Sequence, residues 1–163
     1  TYNKRHLFRL SDEYKLFNQG DTRRVFEVKG WKIFPQICYD LRFPVWSRNG
    51  YSKGEYSYDL LVYLANWPAS RAQVWKTLLP ARAIENQSYV AGVNRIGRDG
   101  HETNHVGDSM VADAKGNLLY IAGAASEEIR TITLSATDLR LFRDAFTVGM
   151  DWDSFTINLK KQQ

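Results

Sequence analysis

The sequence has 163 residues, 44% of them hydrophobic and 25% charged, a balance that excludes a disordered or fibrous chain and fits one globular domain or part of one. Its formal net charge of +4 arises from 22 basic residues scattered among 18 acidic ones, with only short clusters at Arg23-Arg24 and Lys160-Lys161, so no concentrated basic face for nucleic acid is expected. No run approaches the ~20 apolar residues of a membrane span and no charged-then-apolar leader opens the sequence, so a membrane partner is not expected either. The single cysteine, Cys38, leaves no intrachain disulfide and fits a reducing, cytoplasmic setting.

Residues 1–4 open the chain without a cap, turn or preceding strand, which reads as a start inside a domain. Residues 24–29 alternate in character, Lys29-Gly30 can turn, and 31–38 form a second, mostly apolar strand, giving a β-hairpin that ends at Cys38. A tight turn and a short helix closed by Gly50 follow. The apolar run 59–65 has the pattern of a strand covered on both faces. Residues 70–87 carry Val74, Leu78, Leu79, Ala83 and Ile84 at helical spacing, with Pro80 expected to bend or interrupt the helix. A strand over 89–94 comes next. The polar stretch 96–107, with three glycines, His101 and His105, reads as a loop near the strand ends. Three short strands are expected over 110–113, 118–122 and 129–134, the first two joined by a turn at 114–117. Ser135 starts a helix to about residue 146, and the apolar tail beyond Asp151 is expected to dock on this chain or on a second subunit. The alternation of buried strands and covering helices indicates an α/β layered domain.

A strand-to-helix turn is where α/β enzymes present a nucleophile, and the turn is expected to lower the pKa of Cys38 through the positive end of the helix. By itself a lone cysteine at a strand end reads as readily as a small buried hydrophobe. Its neighbours decide between the two. Ile37-Cys38-Tyr39-Asp40-Leu41-Arg42-Phe43-Pro44 closely resembles the nucleophile motif of the nitrilase superfamily of carbon-nitrogen hydrolases. Tyr2-Asn3-Lys4-Arg5-His6-Leu7-Phe8 resembles that family's lysine motif, with Asn3 in place of the commoner Asp. Glu13, followed by Phe17 and Gly20-Asp21, matches its second glutamate. The words at 65–68, 80–87, 94–97 and 107–109 continue the resemblance in the same order.

The resemblance implies a four-layer α-β-β-α sandwich, of which residues 1–163 would be the C-terminal portion, and dimers or larger homo-oligomers. It also implies a mechanism, in which Cys38 attacks a carboxamide to give a thioester. Lys4 and the backbone N–H of Tyr39 would hold the oxyanion, and Glu13 would orient, or share a proton with, the substrate or Lys4. The family's principal base, a first glutamate, lies upstream of the lysine motif and has no counterpart here. The wording around Cys38, Asn66 to Pro68 and Ala81 to Gln87 is similar to the omega-amidase branch, which hydrolyses the amide of 2-oxo acids such as 2-oxoglutaramate. N-carbamoyl or nitrile substrates, or a non-catalytic module of the same fold, are the alternatives. A substrate carboxylate would call for an arginine, with Arg42 and Arg71 as candidates; Arg42 alternatively braces the turn or pairs with Asp40. Trp67 is either a pocket wall or a core aromatic, and Asn66 adjoins it. The histidines His6, His101 and His105 fit no usual metal spacing and no phosphate loop is present, so neither metal nor cofactor is expected.

Overall fold

A computed structural model describes residues 1–159; the Lys160-Lys161 pair lies outside them. The N-terminal segment runs extended to a one-turn helix, α1 (Glu13–Leu16), and a second extended stretch leads to the hairpin of β1 (Phe26–Val28) and β2 (Trp31–Ile37). Lys29 (φ 49°) and Gly30 (φ 79°) are both left-handed, the two-residue turn whose twist suits flanking strands. A 3-10 turn (Cys38–Arg42) and α2 (Pro44–Ser47) follow, then a small hairpin of β3 (Tyr51–Ser52) and β4 (Glu55–Tyr56). The chain continues through β5 (Leu60–Ala65), α3 (Ala72–Asn86) and β6 (Tyr89–Asn94), and through a hairpin of β7 (Ile96–Arg98) and β8 (Asn104–Val106). It ends with β9 (Met110–Ala112), β10 (Leu118–Ile121) and α4 (Ala136–Ala145).

Six strands form one sheet in the order β1-β2-β5-β6-β9-β10, with β2, β5 and β6 parallel and the outer pairings antiparallel. Helix α3 connects β5 to β6 and covers one face. Its Trp75, Leu79 and Ala83, four residues apart, are fully buried against Leu61, Tyr63 and Val90, and burial of a side chain such as Leu79 contributes roughly 2–3 kcal/mol. The contact is close because β6 carries Gly92 there: a Cβ would lie 2.4 Å from Leu79 Cδ1 and 2.8 Å from Trp75 Cζ2.

Pro80 does not interrupt α3, which runs on to Asn86. Proline offers no N–H to the Lys76 carbonyl, a local loss, but the residues buried on either side of it, Leu79 and Ala83, hold the helix on the sheet. The opposite face of the sheet is apolar too. There Leu64 and Val93, paired across β5 and β6, are 53% and 52% exposed. At the far end from Cys38, α4 packs Leu139 against Tyr89 and Ala114; Ser135 caps it by accepting the Asp138 N–H at 3.0 Å. The described residues thus supply one β layer and one α layer of the sandwich.

Two further expectations are corrected. The stretch 96–107 is not a plain loop but the β7–β8 hairpin, pairing Ile96 with Val106 and Arg98 with Asn104; the Asp99 carboxylate pins its turn by accepting the His101 and Thr103 N–H groups. Residues 129–134 form no strand. A strand needs a partner edge, and among the described residues this segment pairs with none; its Ile129 is 97% exposed and borders, with Ile132, Val93 and Val111, an open depression. The tail docks in part on its own chain: Trp152 meets Tyr56 edge-on and lies under the Arg48 guanidinium, 4.4 Å from its ring centroid, whereas Phe155 and Leu159 stay about half exposed.

Candidate active site

β2 delivers Cys38 to the C-terminal end of the sheet, where the chain turns so sharply that Cys38 takes φ 44°. A left-handed conformation costs a non-glycine residue roughly 1–2 kcal/mol, and such strain tends to persist where it serves a site. The elbow is braced from behind. Arg82, buried in α3, donates from Nε and Nη2 to the Leu41 carbonyl at 3.2 and 2.7 Å. The Asp40 carboxylate, fully buried, accepts the Ile37 N–H at 3.1 Å. Tyr39 stands in the first turn of this 3-10 helix, where a backbone N–H has no carbonyl of its own helix to pair with.

Beside Cys38 runs the N-terminal segment, held by the Gly20 N–H, which donates to the Lys4 carbonyl at 2.7 Å. A Cβ on Gly20 would stand 2.2 Å from the Asn3 carbonyl oxygen, so only glycine permits this approach. Lys4 Nζ donates to both Glu13 oxygens at 2.7 Å, and Glu13 Oε2 also accepts the Phe8 N–H at 2.6 Å. An ammonium has three N–H groups, so the third remains for a substrate oxygen. Glu13, engaged on both oxygens, is a holder of the lysine.

Burial pushes the Cys38 thiol above its ordinary value, and the Lys4 charge pulls it back down in part. This corrects the expected lowering by a helix terminus: a 3-10 turn of five residues is too short to present an appreciable dipole, and desolvation penalises the thiolate more. Cys38 Sγ lies 3.8 Å from the Asn66 carbonyl, which accepts its S–H.

The thiol opens into a cleft of about 970 Å³ shared by Lys4, Glu13, Cys38, Tyr39, Arg42, Asn66, Trp67 and Arg71, with Asp99, His101 and His105 of the β7–β8 hairpin on its rim. All eight residues named from the sequence as catalytic or substrate-binding line this one cleft. Trp67 combines both readings, since it is buried against Trp75 in the core and faces the cleft. Its Nε1–H donates to the Arg71 carbonyl at 2.8 Å. Among the described residues Arg42 neither braces the turn nor pairs with Asp40; its guanidinium lies over the Trp67 ring, 5.2 Å from the centroid, and Arg82 does the bracing. Arg71 lies over Phe8 at 5.4 Å.

Asn94 was not singled out as a site residue, yet it fixes the Asn66-Trp67 wall. Its Oδ1 accepts the Trp67 N–H at 2.7 Å and its Nδ2 donates to the carbonyls of Trp67 and Gly107 at 3.0 and 2.8 Å. The signal was present in the word Asn94-Arg95-Ile96-Gly97, but its partner lies 27 residues away. Among the described residues no cluster of three His, Cys, Asp or Glu side chains could hold a metal ion, and no helix is long and apolar enough to cross a membrane.

Residues 1–144 match the family described as carbon-nitrogen hydrolase. The chain belongs to that family. Among curated carbon-nitrogen hydrolases it is 47% identical over 156 residues to omega-amidase YafV of Escherichia coli strain K12, covering 96% of this chain and 59% of the relative. It is 40% identical over 129 residues to the 2-oxoglutaramate amidase of Bacillus subtilis strain 168, covering 79% and 48%. The fold superimposes on XC1258 from Xanthomonas campestris, a CN-hydrolase superfamily protein with an arsenic adduct in its active site, with a TM-score of 0.93 and 46% identity over 96% of this chain and 60% of that one. The chain therefore has the nitrilase-type fold and spans about 60% of the length of omega-amidase YafV and of XC1258.

Proposed function

We propose that this chain carries the nucleophile, oxyanion lysine and supporting glutamate of an amidase that hydrolyses the terminal amide of a small 2-oxo dicarboxylic acid monoamide such as 2-oxoglutaramate. The observation that carries the reading is the strained Cys38 elbow facing, in one cleft, a lysine held by two 2.7 Å bonds to Glu13. The relatives named omega-amidase and 2-oxoglutaramate amidase support the substrate class.

In this reading the Cys38 thiol gives its proton to a base while sulfur attacks the amide carbon. The oxyanion forms toward the third N–H of Lys4 and the N–H of Tyr39. The C–N bond then breaks, the base returns the proton to the departing nitrogen, and ammonia leaves a thioester. Water, deprotonated by the same base, attacks the thioester; the acid departs and the thiol is restored. A thiol raised by burial needs such a base. Glu13 is committed to Lys4 and Phe8, Asp99 to its own hairpin turn, and Asp12 to Lys15 at 2.8 Å. Among the described residues each carboxylate lining the cleft is thus engaged elsewhere, which agrees with the expectation, from the resemblance, that the principal base is a glutamate upstream of the lysine motif.

Two guanidiniums in the cleft support an anionic substrate. Arg42 and Arg71 rest on aromatic faces, and among the described residues neither guanidinium makes a hydrogen bond or ion pair. A guanidinium stacked by its face keeps its in-plane N–H groups for a carboxylate. The deciding assay is ammonia release from 2-oxoglutaramate, an N-carbamoyl amino acid and an aliphatic nitrile, using the protein expressed from its native gene and its Cys38→Ala variant. Selective release from 2-oxoglutaramate that disappears in the variant is expected. Preference for either other substrate, or activity surviving without Cys38, would overturn the reading.

A further inference from the structure

Lys4 sits in an extended segment outside any helix or strand, so its place beside Cys38 depends on what anchors that segment. Much of the anchoring comes from one carboxylate on the nucleophile's own turn. Asp40 Oδ1 accepts the His6 N–H at 2.9 Å and stands 2.8 Å from His6 Nδ1, while Oδ2 accepts the Tyr2 O–H at 2.8 Å. Tyr2 and His6 flank Lys4 at two residues on either side. Both are secured in turn, the Tyr2 hydroxyl by the Trp46 Nε1–H at 2.9 Å and the His6 ring by stacking flat on Phe43 at 3.6 Å. Asp40 itself does not line the cleft.

We propose that Asp40 is a positioning residue that sets Lys4 relative to Cys38, acting through Tyr2 and His6. The inference deepens the amidase reading, since it takes Lys4 to serve the thiolate and the oxyanion. Every group around the Asp40 carboxylate with an assigned role is a donor, apart from the tautomer-dependent His6 ring nitrogen. Asparagine keeps the shape but turns one acceptor into an N–H donor, so that donor faces donor on one side and the segment carrying Lys4 loosens.

The test compares wild type, Asp40→Asn, Lys4→Met, the double variant and Tyr2→Phe, each expressed from the native gene and checked by circular dichroism. It reads kcat and KM on the amide, and the pH midpoint of Cys38 alkylation by iodoacetamide. The charges acting on Cys38 are Lys4, which favours the thiolate, and Glu13 and Asp40, which oppose it. Removing the Asp40 charge alone would move the midpoint down, so an upward move reports displacement of the lysine. Asp40→Asn is expected to raise the midpoint and lower kcat about 10- to 100-fold with KM within about threefold, the cost of a misplaced catalytic group. In the Lys4→Met background the same change is expected to move the midpoint down or not at all. A downward or unchanged midpoint in folded Asp40→Asn, or an upward move that persists without Lys4, would overturn the proposal. Should Asp40→Asn fail to fold, Tyr2→Phe, which deletes one O–H and no charge, is expected to shift the midpoint upward by less, and a wild-type profile there would equally overturn it. If wild type releases no ammonia from any amide, the amidase reading fails while the alkylation comparison still decides the role of Asp40.

Discussion

Cys38 is half-buried, strained and, through desolvation, more firmly protonated than an ordinary cysteine, with the ammonium of Lys4 opposing that effect. The sign of a lysine deletion follows. A thiol is neutral when protonated, so removing a nearby cation destabilises only the thiolate and carries the alkylation midpoint of Cys38 to higher pH. Lys4→Met is expected to do this and also to lower kcat by about 100- to 1,000-fold, the usual loss when an oxyanion donor is removed; a midpoint that fell would show that Lys4 does not act on the thiol. Arg71 makes a different prediction. If its free guanidinium receives the substrate carboxylate, Arg71→Ala should raise KM for 2-oxoglutaramate about 10- to 100-fold and leave a neutral aliphatic amide nearly unaffected. Equal losses on both amides would place Arg71 in the pocket's structure and not in recognition. At this scale the meeting of Cys38, Lys4 and Glu13 in one cleft was legible because each stands in a local word. The brace of the elbow was not: Arg42 is the nearby arginine in sequence, but the one that holds the turn is Arg82, 41 residues beyond Leu41, and only packing of α3 on the sheet brings it there.

Among the elements, those set by periodicity were readable. The apolar run of β5, the hairpin turn at Lys29-Gly30 and the helix begun by Ser135 all form where local pattern and turn chemistry place them. Elements that depend on a distant partner were not. The β7–β8 hairpin hides in a polar stretch because its pairing is fixed by the Asp99 turn and not by alternation, and residues 129–134 look strand-like yet find no edge. Pro80 illustrates tertiary contact overriding propensity, since buried neighbours outweigh one missing hydrogen bond. The same packing makes Gly92 a sensitive point. Gly92→Ala would add little to strand propensity but would drive its Cβ to 2.4 Å from Leu79 Cδ1 and 2.8 Å from a rigid Trp75 ring. A stability loss of about 1–3 kcal/mol is expected, a fall in Tm of roughly 2–12 °C, measurable by thermal denaturation. An unchanged Tm would mean that α3 shifts freely over β6.

For the molecule as a whole, the two faces of the sheet differ in what covers them. One face is closed by α3, with Leu61, Tyr63 and Val90 fully or almost fully buried. The other presents Leu64 and Val93, more than half exposed, at the end of the sheet where Cys38 emerges. In an α-β-β-α sandwich such a face belongs to the seam between the two sheets, where apolar residues meet and the hydrophobic effect joins the layers. That assignment can be checked without touching the cleft's charged groups. Val93→Lys would place an ammonium on the face: if a second sheet covers it, the charge is desolvated without a partner, and the protein expressed from its native gene should lose about 3 kcal/mol, or roughly 10 °C in Tm. If the face is open to water, a surface lysine should alter stability by less than about 0.5 kcal/mol. The contrast is sixfold in free energy, well outside the scatter of a melting experiment, and it distinguishes a sheet that is half of a sandwich from one that stands with its apolar side in solvent.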